Sequence, residues 1–237
     1  MIVKTKAIVI SSLRYQEKSL IVRCFTESDG LKSYFIRDAY TTRKNSQKIA
    51  FFQPLNILEI EATHKNKGNL EYFKEVRLAH PYYTITTDIT KTTIAIFLSE
   101  ILHHCIREEE KNQGLYSFLE TAFLWLDSHD EVANFHLILM MEVTKFLGFY
   151  PDGTSNSHNF FEMIEGVFTP FQSISCLSEN ETLLLKRLMS LKIDNSTKSF
   201  HVTERQVLLK ILLDYYAFHL DGFKRPKSLD VLKEIFS

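Results

Sequence analysis

The sequence predicts an α+β protein in which a small β-barrel is followed by an all-α region. Before Pro81, short runs of β-branched and aromatic residues alternate with turn signals, a pattern that is typical of strands. After Pro81, apolar residues recur about every 3.6 residues, which is the period of amphipathic helices. We therefore predict a barrel domain at residues 1–80 and a helical domain at residues 81–237.

The barrel prediction depends on five strand-like segments. Glu27–Gly30 is a turn signal, and the alternating run after it makes Ser19–Asp38 a predicted hairpin. Pro54 marks an edge strand or a bulge, because proline has no amide hydrogen to donate to a sheet. Five short strands within 80 residues favour a closed or partly open barrel, and we expect an OB-fold. The predicted strands are Ala7–Ile10, Leu20–Val22, Leu31–Asp38, Phe51–Ile60 and Leu70–Leu78.

The remaining residues are predicted to form helices around one apolar segment. Phe135–Phe149 is apolar nearly all round, so we expect it to be the buried central helix, ended by Gly148 and Pro151. Residues 151–178 are rich in Ser, Asn and Gly and are predicted to form a loop. The predicted helices are Thr90–Glu110, Leu115–Leu126, Phe135–Phe149, Glu179–Leu191, Thr203–Leu220 and Ser228–Phe236.

A net charge of −1 conceals an uneven distribution of charge along the chain. Residues 1–80 hold 14 Lys or Arg against 8 Asp or Glu, whereas residues 81–237 hold 14 against 21. A basic segment that carries aromatic residues is typical of a protein that binds a polyanion. An acidic, apolar-rich segment more often contacts other proteins.

The basic and aromatic residues of the first domain form the candidate nucleic-acid site, because cations contact phosphates and flat rings stack on unpaired bases. The same pattern also fits a solvated loop and a barrel whose aromatic residues are simply core, and for Phe35 and Phe52 we expect the core. The candidate cations are Arg14, Lys18, Arg23, Lys32, Arg37, Arg43, Lys44 and Lys48. The aromatic residues between them are Tyr15, Tyr34, Phe35, Tyr40, Phe51 and Phe52.

Catalysis, cofactors and metals have little support in the sequence. No phosphate-binding glycine loop or nucleophile elbow occurs, and the chain has only seven glycines. Glu100 and His103 have the Glu-x-x-His spacing of a di-iron site, but the chain has no second copy of that motif. Three widely spaced cysteines fit a reducing cytosol rather than a disulfide framework. We expect a cytoplasmic protein that is not an enzyme, has no cofactor and does not bind a membrane.

The acidic half contains one compact basic patch between its last two predicted helices. Beside an apolar groove, such a patch could bind phosphate or an acidic peptide tail, although it could also only neutralise the carboxyl end of the preceding helix. The candidate partner-binding residues are Leu212, Tyr216, Leu220, Lys224, Arg225 and Lys227.

Five sets of residues are informative in their order and spacing: Ala7–Ser19, Phe25–Thr26 with Gly30–Leu31, Gln53–Leu55, Phe146–Pro151 and Lys227–Leu232. Together they resemble the RecO family of bacterial DNA repair and recombination mediators. The similarity extends over nearly the whole chain. One difference concerns residues 152–160, where many relatives have a cysteine cluster that binds zinc and this chain has no cysteine. We expect no zinc, and a loop held instead by the packing of Phe160, Phe161 and Phe168.

The resemblance implies a recombination mediator in DNA repair that acts at the bacterial nucleoid. Such a protein binds single- and double-stranded DNA, anneals complementary strands, and with RecR helps RecA replace single-strand-binding protein, whose acidic C-terminal tail is a further expected partner. Two alternatives remain at this point. One is a non-catalytic protein-interaction scaffold whose barrel binds no nucleic acid, and the other is a hydrolase with dispersed catalytic residues.

Overall fold

The computed structural model describes residues 1–41, 48–65, 70–107, 111–195 and 199–236. Residues 1–128 and 226–228 form one compact unit, and residues 129–225 and 229–237 form the other. The first unit contains a sheet and two helices, and the second contains the remaining helices and a short hairpin. The α+β prediction of a sheet-rich barrel followed by helices is confirmed. The domain boundary at residue 80 stays a prediction.

The first unit is built on a five-stranded antiparallel sheet in the order β3-β2-β1-β4-β5. Two backbone hydrogen bonds join β3 to the start of β5 in parallel and so close the sheet. The Phe35 amide donates to the Glu71 carbonyl, and the Glu71 amide donates to the Ser33 carbonyl. This connectivity is that of a five-stranded OB-type barrel, as predicted. The strands are β1 (Ile2–Tyr15), β2 (Ser19–Thr26), β3 (Gly30–Ile36), β4 (Ile57–Thr63) and β5 (Tyr72–Leu78).

The barrel interior is filled by the residues that alternate inward on each strand. Tyr34 lies at its centre with no exposed surface, and its ring stacks on Phe73 at a centroid distance of 4.0 Å. Its hydroxyl is 2.8 Å from Nε2 of the buried His64, so the polar end of the ring is satisfied. Phe52 is also in this core, as predicted, with 5% of its surface exposed.

The fourth strand begins later than the sequence predicted. Ala50–Phe52 forms a 3-10 turn, and the strand starts only at Ile57. The reason is local: Leu55 has a φ of 63°, and its amide donates to the Val9 carbonyl instead of continuing a ladder. An apolar run of this length does not by itself distinguish a turn with buried side chains from a buried strand.

Two helices, α1 (Ile89–Cys105) and α2 (Gln113–Ser128), complete the first unit. The Asp88 side chain caps α1 by accepting from the Lys91 amide at 2.9 Å. The Asp127 carboxylate of α2 accepts the backbone amides of residues 83–85 at 2.8–3.0 Å, which fixes the connection from the barrel to α1. These hydrogen bonds lower the pKa of Asp127 despite the desolvation that opposes them.

The second unit is arranged around α3 (Phe135–Leu147), which is almost wholly buried as predicted. Gly148 ends α3 with a φ of 83°, a left-handed conformation that favours glycine. The next helix begins with a capping box, in which Ser178 and Glu181 satisfy each other's backbone amides. The other helices of this unit are α4 (Glu179–Ser190), α5 (Val202–His219) and α6 (Leu229–Ile235).

Residues 151–178 are not simply a loop, because they contain a short hairpin of β6 (Phe160–Glu162) and β7 (Val167–Thr169). Phe161 and Phe168 are both buried, with ring centroids 4.9 Å apart. Phe160 is half-buried and pairs with Thr169 across the hairpin. An apolar contact therefore holds the segment, as the sequence predicted. Within the described ranges, no group of three or more His, Cys, Asp or Glu could hold a metal ion.

Candidate nucleic-acid interface

Two clefts lie on either side of the end of β3 in the barrel. One has a volume of about 520 Å³ and is bounded by β3, β5 and residues 48–52. The other has a volume of about 560 Å³ and is bounded by the β1–β2 turn and residues 35–38. Phe35 and Arg37 line both clefts, so the two concavities meet at these side chains. We call the joined surface the β3 groove.

Three aromatic rings form a row on the outer surface of the barrel: Phe35 and Tyr72 line the groove, and Tyr15 contacts Phe35 beside it. The Phe35 centroid is 6.1 Å from that of Tyr15 and 6.2 Å from that of Tyr72, with interplanar angles of 81° and 84°. Tyr15 is 43% exposed and Tyr72 is 45% exposed, whereas Phe35 is half-buried between them. The sequence analysis predicted that Phe35 is a core residue, and this is wrong. Phe35 is the half-buried middle ring of a row whose two outer rings are exposed.

Three cations of the β3 groove lack an ion-pair partner among the described residues, although Glu17, Asp38 and Glu75 also line the two clefts. Within the described part of the chain, Lys18, Arg37 and Lys48 are exposed and have no carboxylate at ion-pair distance. Lys74, on the same wall, is 4.0 Å from Glu61, which is a weak contact. The Lys65 ammonium lies 5.9 Å from the centre of the Tyr72 ring. Cations without counter-charges beside exposed rings are what a polyanion with stacking surfaces requires.

A third cleft of the same unit, of about 520 Å³, has a different electrostatic character. Its cations are already paired: Lys4 with Glu61 at 3.2 Å, and Lys6 with Glu120 at 2.9 Å. Arg77 donates from Nε to Glu59 at 2.6 Å. Four glutamates line this cleft against three cations. A phosphate there would have to displace these ion pairs, so we do not assign it to DNA.

The structure moves several predicted DNA-binding residues away from the groove. Strand alternation turns Lys32 to the same side as Tyr34, and Lys32 is only 6% exposed, so it is not available to phosphate. Arg23 is half-buried, and its Nη1 is 3.2 Å from the ring nitrogens of His103 on α1. Arg14 is exposed, but its guanidinium donates to the Glu17 carbonyl at 2.8 Å and lies over the Tyr40 ring.

Two further candidates, Arg43 and Lys44, lie outside the described residues. Sequence reasoning missed Tyr72 and Lys74, which line the groove from β5. Alternation within the predicted fifth strand could have found them, because it places both on the face opposite Phe73. What the sequence could not show is that closure of the barrel brings this face beside Phe35.

The predicted partner groove on α5 is wrong. Leu212 and Tyr216 have no exposed surface, and the Tyr216 hydroxyl donates to the Met140 carbonyl at 2.7 Å, so both belong to the core of the second unit. Leu220 is half-buried at the end of the helix. These side chains pack inward because α5 lies against α3, which is apolar over most of its surface.

The basic patch after α5 is also divided. Arg225 is held by Asp214 of α5 at 2.5 Å, whereas Lys224 is exposed. Lys227 belongs to the first unit, where its backbone amide donates to Glu100 at 2.5 Å. The same Glu100 carboxylate accepts from the Ser228 amide at 3.3 Å, so the glutamate of the Glu-x-x-His string holds backbone rather than metal.

A shallow cleft in the second unit combines apolar walls with cations. Its apolar lining includes Leu209 of α5, Leu232 of α6 and the ring of Phe236. Arg205 lies 5.6 Å from the centre of the Phe236 ring, and Lys233 lines the same cleft. Lys233 has only a long contact of 3.9 Å with the exposed Asp230. We call this surface the α5–α6 cleft.

Both halves of the chain match the same protein family. The family sequence pattern described as "Recombination protein O N terminal" matches residues 1–82, and "Recombination protein O C terminal" matches residues 86–230. A protein of Flavobacterium psychrophilum named DNA repair protein RecO is 66% identical over 236 residues, 99% of each chain. Proteins of the same name from Christiangramia forsetii and Phocaeicola vulgatus are 40% and 36% identical over the full length of both chains. No helix among the described residues is long and apolar enough to cross a membrane.

Proposed function

Because the chain belongs to the RecO family of DNA repair and recombination proteins, we propose that it binds DNA through the β3 groove of its barrel. In this proposal it anneals complementary strands and, with RecR, helps RecA to replace single-strand-binding protein. It does so without catalysis, at the nucleoid in the cytoplasm. Its substrate is held and aligned rather than chemically changed.

One observation carries the DNA-binding part of the proposal. Of the three clefts of the first unit described above, the two that form the β3 groove contain cations without ion-pair partners. The third cleft contains cations that glutamates already neutralise. Binding of a polyanion releases counterions from phosphates, and only cations that are not already paired contribute their full attraction. Lys18, Arg37 and Lys48 therefore offer phosphates an attraction that the paired cations of the third cleft do not.

The test compares neutralisation at the two surfaces. We expect the triple variant Lys18→Gln, Arg37→Gln, Lys48→Gln to weaken binding to a fluorescein-labelled oligothymidylate, measured by anisotropy. The slope of log affinity against log salt should fall by about 0.7 for each lost contact, and so by about 2 in total. A matched control, Lys4→Gln with Arg77→Gln, removes two paired cations and should leave the slope nearly unchanged.

Two results of the same experiment would contradict the proposal. Equal slopes for the triple variant and the parent would place the DNA site elsewhere. A parent chain that shows no salt-dependent binding to single or double strands would favour the alternative, a protein-interaction scaffold whose barrel binds no nucleic acid.

For the acidic C-terminal tail of single-strand-binding protein, we propose the α5–α6 cleft in place of the buried residues of α5. An acidic, apolar peptide requires cations at the rim of an apolar surface. Lys233 and Arg205 provide the cations, and the half-buried Phe236 provides the apolar contact, since Leu209 and Leu232 line the cleft but are only 4% and 0% exposed. Arg225, the cation at the centre of the predicted patch, is a poorer match because it already has Asp214 as its partner.

A further inference from the structure

We infer that the row Tyr15, Phe35 and Tyr72 is a stacking platform for unpaired bases, and that it gives the barrel a preference for single strands over duplex. This inference rests on the proposed function, since it concerns the same β3 groove. The stacking platform adds discrimination between single strands and duplex. Net charge cannot provide this discrimination, because both forms of DNA carry phosphates.

The placement of the rings supports stacking rather than core packing. Each of the two tyrosines keeps more than two fifths of its surface exposed, although each has an aromatic neighbour. Phe35 stands nearly perpendicular to both of them, at 81° and 84°. In an edge-to-face contact at least one ring leaves a face uncovered by its partner, so the contacts within the row do not use up the stacking surfaces.

Strand register continues the row across the sheet. Ile21 of β2 pairs with Phe35 on one side and with Leu13 of β1 on the other. Leu13 is 65% exposed, so the apolar surface does not end at the three rings. The rings lie at the β1–β2 turn, on β3 and at the start of β5, which are the positions from which an OB barrel reads oligonucleotides.

Charge complementarity identifies the occupant. A protein surface that docked on an apolar strip would not require unneutralised cations beside it, yet Lys18, Arg37 and Lys48 line the two clefts that meet at Phe35. A single strand supplies both chemistries at once, with a phosphate and an accessible base face in every nucleotide. In a duplex the base faces are already stacked on each other, so only the phosphates remain for the groove.

The experiment separates base stacking from phosphate contacts with three probes of equal length. They are fluorescein-labelled oligothymidylate, the same backbone without bases (an abasic strand), and a mixed-sequence duplex. We expect Tyr72→Leu to weaken oligothymidylate binding by about 5-fold or more, the lower end of what one lost stack produces. Binding to the abasic strand and the duplex should change less than about 2-fold.

Matched variants keep the result interpretable. Tyr72→Phe retains the ring and should bind all three probes like the parent, and Tyr15→Leu should repeat the Tyr72→Leu pattern. Tyr83 is 83% exposed on the same unit and lines none of the clefts described above, so Tyr83→Leu is the control for losing an exposed ring. Circular dichroism of each variant at 222 nm checks that the full chain remains folded.

The outcomes are distinguishable. If Tyr72→Leu and Tyr15→Leu bind oligothymidylate as tightly as the parent, or lose the same factor on all three probes, the stacking platform is wrong while DNA binding by the groove stands. If the parent itself binds none of the probes, the proposed function fails first. A photocrosslink from 5-iododeoxyuridine to residues outside the β3 groove would also overturn the inference.

Discussion

His136 should make the second unit sensitive to acid. It lies on α3 with 2% of its surface exposed, and its ring stacks on Phe236 at a centroid distance of 5.2 Å. Burial, together with the nearby Arg205 charge, lowers the pKa of His136 to about 3. The charged form is therefore strongly disfavoured in the folded chain, whereas the unfolded chain protonates this histidine freely.

The sign and size of the effect follow from proton linkage. Because the folded pKa is lowered, the neutral histidine favours folding above the unfolded pKa of ~6.5, and this contribution is lost as pH falls towards the folded value. Between about pH 7.5 and about pH 5, the free energy of unfolding should fall by about 2 kcal/mol from this residue alone. His103, whose pKa is also lowered by burial and by Arg23 and His104, acts in the same direction in the first unit.

Comparing the parent with a variant that lacks His136 isolates the contribution of this residue to the pH dependence of stability. Urea unfolding of the parent and of His136→Leu, followed at 222 nm, gives the free energy of unfolding at each pH. We expect the pH dependence of the variant to be shallower by about 2 kcal/mol over this range. Parallel curves for parent and His136→Leu would show that His136 is not held neutral by burial, and would refute the argument.

Two other predictions concern the second unit. Lys233→Glu should lower the affinity for an acidic, apolar peptide with the sequence of the single-strand-binding protein tail. We expect a loss of about two- to fivefold in anisotropy titrations, as for a charge at the rim of an interface. Arg225→Glu, which loses its pairing with Asp214, should bind this peptide like the parent, and the opposite ranking would return the site to the end of α5. Elemental analysis of protein purified without chelator should find substoichiometric zinc, and one tightly held equivalent per chain would contradict the loop interpretation.

Secondary structure was predictable where one physical signal dominated. The nearly all-round apolar character of Phe135–Phe149 predicted the burial of α3. The predicted helix Glu179–Leu191 begins where α4 begins, and the observed Ser178–Glu181 capping box shows that the start is fixed locally. The prediction failed where several solutions share one pattern. Residues 51–56 combine three apolar side chains with a proline, which fits a bulged strand as well as the observed turn.

The candidate sites were less predictable because exposure is a tertiary property. Tyr15 and Phe35 were candidate aromatic residues in the sequence, but their neighbours were unknown, and only closure between β3 and Glu71 brings Tyr72 beside Phe35. In the same way, an apolar residue of α5 is either a groove wall or core, and the packing of α5 against α3 made Leu212 core. Helical periodicity cannot decide between these alternatives.

The charge of the barrel shows why a count of residues is a weak guide to a binding surface. Residues 1–80 have a surplus of six positive charges, but this number does not show which surface carries them until the ion pairs are known. Glu59 and Glu61 remove Arg77 and Lys4 from that surplus, and Lys32 is turned to the inner side of β3. Lys18, Arg37 and Lys48, which have no ion-pair partner among the described residues, lie beside the aromatic row. Since a charge already paired gains little from a phosphate, the arrangement of glutamates selects the DNA-facing surface as much as the lysines and arginines do.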